Sequence, residues 1–205
     1  MSGGAAFLLK GIAIGLSIAA PVGPIGVLCI RRTLAEGRVR GLVSGLGAAA
    51  ADALYGCVAG FGLTILSDVL IGQQTWFRLI GGAFLCYLGV KTYLAQPGER
   101  AVPEVSLSLL GAFSSTFLLT LTNPVTILSF GAIFAGLGLA DSRDGGAIPL
   151  VVGVFSGSAL WWLTLSSAVS LFRHRFGPGG LRWTNRVSGL VIAGFGLGAL
   201  VSSLV

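Results

Sequence analysis

Residues 7–30 read FLLKGIAIGLSIAAPVGPIGVLCI, an apolar run that Pro21-Val22-Gly23-Pro24 interrupts near its middle. About 20 apolar residues are enough for a helix to cross the hydrocarbon core of a bilayer. Proline lacks an amide donor and clashes with the preceding helical turn, so a helix is expected to kink or unwind here. The stretch therefore predicts a membrane span that is broken at mid-depth.

Further apolar runs follow at residues 41–66, 76–94, 107–139, 146–172 and 187–205. Hydrophobic residues make up 54% of the 205 residues and charged residues only 10%, compared with about 25% charged in a typical soluble domain. The mean hydropathy is +0.92. We predict an all-α membrane protein with six transmembrane helices in a single domain over residues 1–205. No cleaved signal peptide is expected, because no basic residues precede the first run.

The basic residues predict how the spans are oriented. Most lie in one set of loops (Arg31, Arg32, Arg38, Arg40, Lys91, Arg100, Arg173, Arg175, Arg182 and Arg186), against Lys10, Arg78 and Arg143 on the other side. By the positive-inside rule the larger set is cytoplasmic and both termini lie outside. Because the net charge of +6 is explained by this clustering, nucleic-acid binding is not expected.

The two halves of the chain resemble each other, with one repeat at about 1–95 and the other at about 106–205. Pro24 aligns with Pro124, Asp52 with Ser158, and Gly81 with Gly189. Three helices per repeat place the second copy in the opposite orientation, an arrangement typical of secondary transporters with a site at the midplane. Chance similarity between glycine-rich apolar helices is the alternative.

The fourth run contains Thr122-Asn123-Pro124, which predicts a second broken helix. Freed carbonyls and half-helix ends at that depth could coordinate a charged or zwitterionic solute, although a simple packing kink is the alternative. Hydroxyl side chains recur at helical spacing along this run, at Ser108, Ser115, Thr122, Thr126 and Ser129. This stripe could line an aqueous path or mediate helix contacts.

Asp52 follows four alanines and is the only ionisable residue deep within a predicted span. A carboxylate there is costly, so it is expected to face the interior and mark an ion or substrate path. Loss of hydration favours the neutral acid, which would suit proton exchange. A structural hydrogen bond to an opposing broken helix is the alternative.

Several motifs together resemble the LysE/RhtB family of amino-acid exporters over essentially the whole chain. They are APVGP at 20–24 with Arg31-Arg32, Asp52 within 47–56, GGAFLCYLG at 81–89, and LTNP at 121–124. The resemblance implies an inner-membrane antiporter, not an enzyme, that exports amino acids or related small metabolites against protons without a cofactor or resident metal. It places the pathway at Pro21, Gly23, Pro24, Asp52, Asn123 and Pro124, to which we add Thr122, Thr126 and Ser158.

The substrate and two alternative functions, one of them outside solute transport, stay open at this point. Val125 departs from the basic or aromatic residue of many relatives, and the single acid favours a neutral zwitterion over a dication. A divalent-metal exporter would have only a poor ligand set in Asp52, Asn123 and the hydroxyls. A thiol–disulfide carrier needs a reactive cysteine in each half, and the fourth span has none. Small-residue helix faces are compatible with a homodimer.

Overall fold

The computed structural model describes residues 3–21, 23–61, 74–95, 108–123, 126–127, 129–130, 146–172 and 178–203. This part of the chain is helical, with turns and no strands. Its seven helices are α1 (Gly3–Ala19), α2 (Pro24–Glu36), α3 (Arg38–Gly60), α4 (Gln74–Leu94), α5 (Leu109–Leu121), α6 (Ala147–Phe172) and α7 (Pro178–Val201). The all-α class predicted from the composition agrees with these helices.

Three of these helices are long and apolar enough to cross a membrane, over Arg38–Val58, Ala147–Phe172 and Gly179–Val201. The pair α1 and α2, bent by 80° at residues 20–23, would make a fourth if it forms one span. Helix α7 begins nine residues before the predicted start at 187, and α2 continues past the predicted end at 30. Residues 62–66 and 131–139 of the predicted second and fourth spans lie outside the described residues, as do the loop residues Arg100, Arg143, Arg173 and Arg175.

Glycines bring α1 and α6 into backbone contact. A Cβ at Gly153 would meet the carbonyl oxygen of Leu8, and one at Gly157 would meet that of Ile12. The contacts advance in the same direction along both helices, so α1 and α6 run parallel. Small residues on both faces allow this close approach, which maximises van der Waals contact where lipid gives no hydrophobic driving force.

Helix α3 lies between α5 and α6. A Cβ at Gly47 would meet the carbonyl oxygen of Phe113 on α5, and one at Gly45 would meet the side chain of Trp162 on α6. Helices α3 and α5 run parallel, because Tyr55 further along α3 contacts Leu121 further along α5. Helices α3 and α6 run antiparallel. Residues of α3 therefore lie in the interior of the bundle, in contact with helices on two sides.

The remaining helices form an antiparallel pair, α4 and α7, and the short helix α2. Gly82 approaches Gly196, and Gly89 further along α4 approaches Gly189 earlier on α7. Helix α2 packs against α3, α6 and α7. Gly37 alone separates α2 from α3, and its φ of 102° reverses the chain there. A side chain would be strained in that left-handed conformation.

Candidate functional site

A cavity of about 520 Å³, here named the central cavity, lies where the ends of α1 and α2 meet α3 and α5. This volume is within the range of small-molecule sites, about 300–1,000 Å³. Six of the nine predicted site residues line it: Pro21, Gly23, Pro24, Asp52, Asn123 and Thr126. The other lining residues are Ser17, Ile18, Ala19, Ile25, Gly26, Ala48, Thr120, Ser129, Trp162 and Phe195.

The carboxyl end of α1 faces the central cavity because Pro21 ends the helix. Residue 21 has no amide hydrogen, so the carbonyl of Ser17 lacks the donor that a continuing helix would supply. Just beyond the helix end, the amide of Gly23 donates to the carbonyl of Pro21, at 2.9 Å. The negative end of the α1 dipole therefore borders the cavity.

The amino end of α2 faces the same cavity. Pro24 occupies the first helical turn, where its fixed φ is favourable, and the cap residue Gly23 has no side chain to satisfy the first amides. Ile25 and Gly26 line the cavity. Among the described residues, no atom would lie within 4 Å of a Cβ at Gly23, so none of them crowds this cap position. The positive end of the α2 dipole is thus available to an anion.

Asp52 is 3% exposed and lies on the α3 wall of the cavity. The hydroxyl of Ser158 donates to Asp52 Oδ2 at 2.7 Å, and Trp162 Nε1 donates to the same hydroxyl at 3.1 Å. Ser158 does not itself line the cavity, but it bonds to two residues that do, Asp52 and Trp162. This chain of hydrogen bonds holds the carboxyl group of α3 against α6 and orients it.

Two other predicted residues have different positions. The Thr122 hydroxyl donates to the Leu118 carbonyl at 3.0 Å, and Thr122 packs close to Gly81 of α4. It does not line the central cavity. Pro124 lies outside the described residues. The residues of the predicted hydroxyl stripe also have different roles. Thr126 and Ser129 line the cavity, whereas Ser108 caps α5 by accepting from the amide of Gly111.

The sequence placed Arg32 in a loop on the cytoplasmic side, and the structure corrects the loop assignment. It lies on α2 at 2% exposure, so Asp52 is not the only ionisable residue buried in the bundle. Its Nη1 donates to Ser44 Oγ at 2.7 Å and to Thr116 Oγ1 at 3.0 Å, and its Nη2 donates to Ser115 Oγ at 2.9 Å. A helix continued past residue 30 would have placed Arg32 on the buried face of Cys29, three residues earlier.

Tyr55 is a second residue that the sequence reasoning missed. Its hydroxyl donates to the carbonyl of Leu121, the last residue of α5, at 2.7 Å. Its ring stacks on Phe130, with centroids 5.1 Å apart. Tyr55 follows Asp52 by three residues, a spacing that places both on one face of α3. It therefore satisfies a carbonyl that the end of α5 exposes.

Apposed helix ends, a buried carboxyl group and a ligand-sized cavity inside an apolar helical bundle are features of membrane transporters. A model of the family described as LysE type translocator matches residues 16–203. The chain belongs to the LysE-type translocator family, as the motifs predicted. This is a family of amino-acid efflux transporters, and transporters of this kind are not enzymes.

Individual relatives match along most of their length. The chain is 28% identical over 194 residues to the putative amino acid efflux protein YcgF of Bacillus subtilis, covering 92% of each chain. It is 24% identical to the threonine efflux protein of Escherichia coli K12, covering 88% of this chain and 90% of that one. The uncharacterized membrane protein YahN of the same bacterium is 30% identical over 82% of this chain and 77% of its own. No solved structure matches this chain significantly.

Proposed function

We propose that this protein is an inner-membrane secondary transporter that exports neutral amino acids in exchange for protons. The observation that carries the proposal is the meeting of the α1 carboxyl end, the α2 amino end and Asp52 around one cavity. The α2 amides would hold the substrate carboxylate, and Asp52 with the α1 carbonyls would hold its ammonium group. The names of the efflux relatives favour an amino acid as the substrate.

Asp52 would couple the two fluxes because proton and substrate compete for it. An ionised carboxylate attracts the substrate ammonium group, whereas the protonated acid offers no charge to it. Binding of a proton and binding of an amino acid are then mutually exclusive, as exchange requires. Ser158, the hydrogen-bond donor to Asp52, would keep the carboxyl group in place in both forms.

The proposed transporter has six spans in two inverted repeats, with breaks at Pro21–Pro24 and near Asn123. Asp52 and Ser158 are equivalent in the repeat alignment and hydrogen-bond to each other, as residues beside a two-fold pseudo-axis would. The parallel pair α1 and α6 would be equivalent to the parallel pair α5 and α3. An antiparallel α4 and α7 fits the third and sixth spans. Both termini would lie outside, as the positive-inside rule predicts.

The described residues favour neither alternative function. Within them, no group of three or more His, Cys, Asp or Glu side chains is placed to hold a metal ion. The cysteines Cys29, Cys57 and Cys86 lie on α2, α3 and α4 as free thiols. A metal exporter and a thiol–disulfide carrier therefore have no supporting observation here.

The test is proton flux into liposomes that contain the purified protein and an internal pH dye. Neutral amino acids, lysine and divalent cations are added in turn to the wild type, Asp52→Asn and Glu36→Gln. Glu36 is a matched acid-to-amide control, because it lies at the end of α2 and pairs with Arg40 at 3.0 Å, away from the cavity.

We expect a proton signal with neutral amino acids in the wild type and in Glu36→Gln, and none in Asp52→Asn. Circular dichroism and gel filtration check that the silent variant is folded. Proton-coupled flux that persists in Asp52→Asn would contradict the coupling role. Tracer flux without proton movement in the wild type would contradict antiport.

A further inference from the structure

A second cavity, here named the lateral cavity, adjoins the central one. Its volume is about 530 Å³, and Pro24, Asn123 and Phe195 line both cavities. The other described residues that line it are Leu85 of α4, several residues of α7, and Ser202, which follows α7. The two cavities are therefore neighbours and share part of their walls, beside the amino end of α2.

The lateral cavity differs from the central one in chemistry. Of the described residues that line it, only Asn123 and Ser202 carry polar side chains. Two glycines of α7, Gly194 and Gly198, also line it, and no atom of the described residues would lie within 4 Å of a Cβ at either position. The pair lies one helical turn apart, so the bare face of α7 leaves room for an apolar group.

We propose that the lateral cavity receives the side chain of the exported amino acid and selects aliphatic and aromatic side chains. The inference rests on the proposed function, in which the charged groups of the substrate sit at Asp52 and the α2 amides. From there, the side chain reaches Phe195 and the apolar space beyond it. Burial of apolar surface then makes a larger side chain bind more tightly, by roughly fourfold per methylene.

The first test compares alanine with leucine as substrates of the wild-type protein in proteoliposome exchange. Leucine has three more carbon atoms to bury, so its KM is expected to be about 60-fold lower than that of alanine. Equal KM values would overturn the inference and leave the proposed function intact. No exchange of any neutral amino acid would overturn both.

The second test fills the cavity from α7 with Gly198→Leu and, separately, Gly194→Leu. Each is expected to raise the KM for leucine at least tenfold while changing that for alanine less than twofold. Gly179→Leu is the matched control, since this glycine of α7 also has open space around it but does not line the cavity. It is expected to change neither value.

If Gly198→Leu and Gly194→Leu fail to fold, the smaller variant Gly198→Ala allows the same comparison. A smaller increase in the KM for the substrate leucine is then expected. An equal loss of alanine and leucine transport in the filled variants would overturn the inference. If the transport rates of alanine and leucine both change with the acyl-chain length of the vesicle lipid, the lateral cavity is assigned to lipid. That result would also overturn the inference.

Discussion

Removing the hydroxyl of Tyr55 tests whether α5 ends where the structure places it. Tyr55→Phe keeps the ring and its stacking on Phe130, and removes only the donor to the Leu121 carbonyl at 2.7 Å. Because Tyr55 is 3% exposed, water is poorly placed to replace that donor. This bond is part-buried, and leaving its carbonyl without the donor costs about 1–3 kcal/mol. In a chain of this size the loss corresponds to a Tm decrease of roughly 3–9 °C.

The assay is thermal unfolding of the detergent-solubilised protein, followed by tryptophan fluorescence. Tyr87→Phe is the matched control, because Tyr87 lies on α4 at 58% exposure and the same atom is removed there. The control is expected to unfold within about 1 °C of the wild type. If Tyr55→Phe also unfolds within about 1 °C of the wild type, the hydroxyl does not cap α5, and the reasoning about this helix end is refuted.

Two further predictions use the same unfolding assay. Gly157→Ala would drive a Cβ into an α1 backbone carbonyl and is expected to destabilise the protein by about 1–3 kcal/mol. Its control Gly179→Ala, in open space, is expected to stay within about 1 kcal/mol of the wild type. Equal Tm values for the two variants would refute the close contact. Ser44→Ala removes an acceptor of buried Arg32, at an expected cost of about 1.5–3 kcal/mol. Ser166→Ala is its control, since that buried hydroxyl has no partner among the described residues; a larger loss in the control would contradict the prediction.

The helices that the sequence predicted best are those with uninterrupted apolar runs. Helix α6 was predicted at 146–172 and is observed at Ala147–Phe172, and α4 begins two residues before its predicted start. Helix ends that pass into polar sequence were predicted less well. Helix α2 continues through Arg31 and Arg32 to Glu36, because hydropathy treats arginines as a loop even where the backbone stays helical.

In the candidate site, too, some properties of single residues could be predicted from the sequence and others could not. Burial of Asp52 could be predicted, since it lies within a long run of small apolar residues. Its bond to Ser158 joins residues 106 positions apart, and only the repeat alignment hinted at their proximity. Thr122 carried the same local signal as Thr126, yet it packs near Gly81 of α4 while Thr126 lines the central cavity.

The sequence by itself determined the helical class and the family. The class follows from apolar runs, whose effect on the backbone is local, and the family follows from motifs distributed along the chain. Only the tertiary structure decided that Arg32 is buried, that Tyr55 bonds to the end of α5, and that Phe195 lines two neighbouring cavities. Each of these depends on which helices pack together and in which rotation, and small residues distributed across α1, α3 and α6 control that packing jointly.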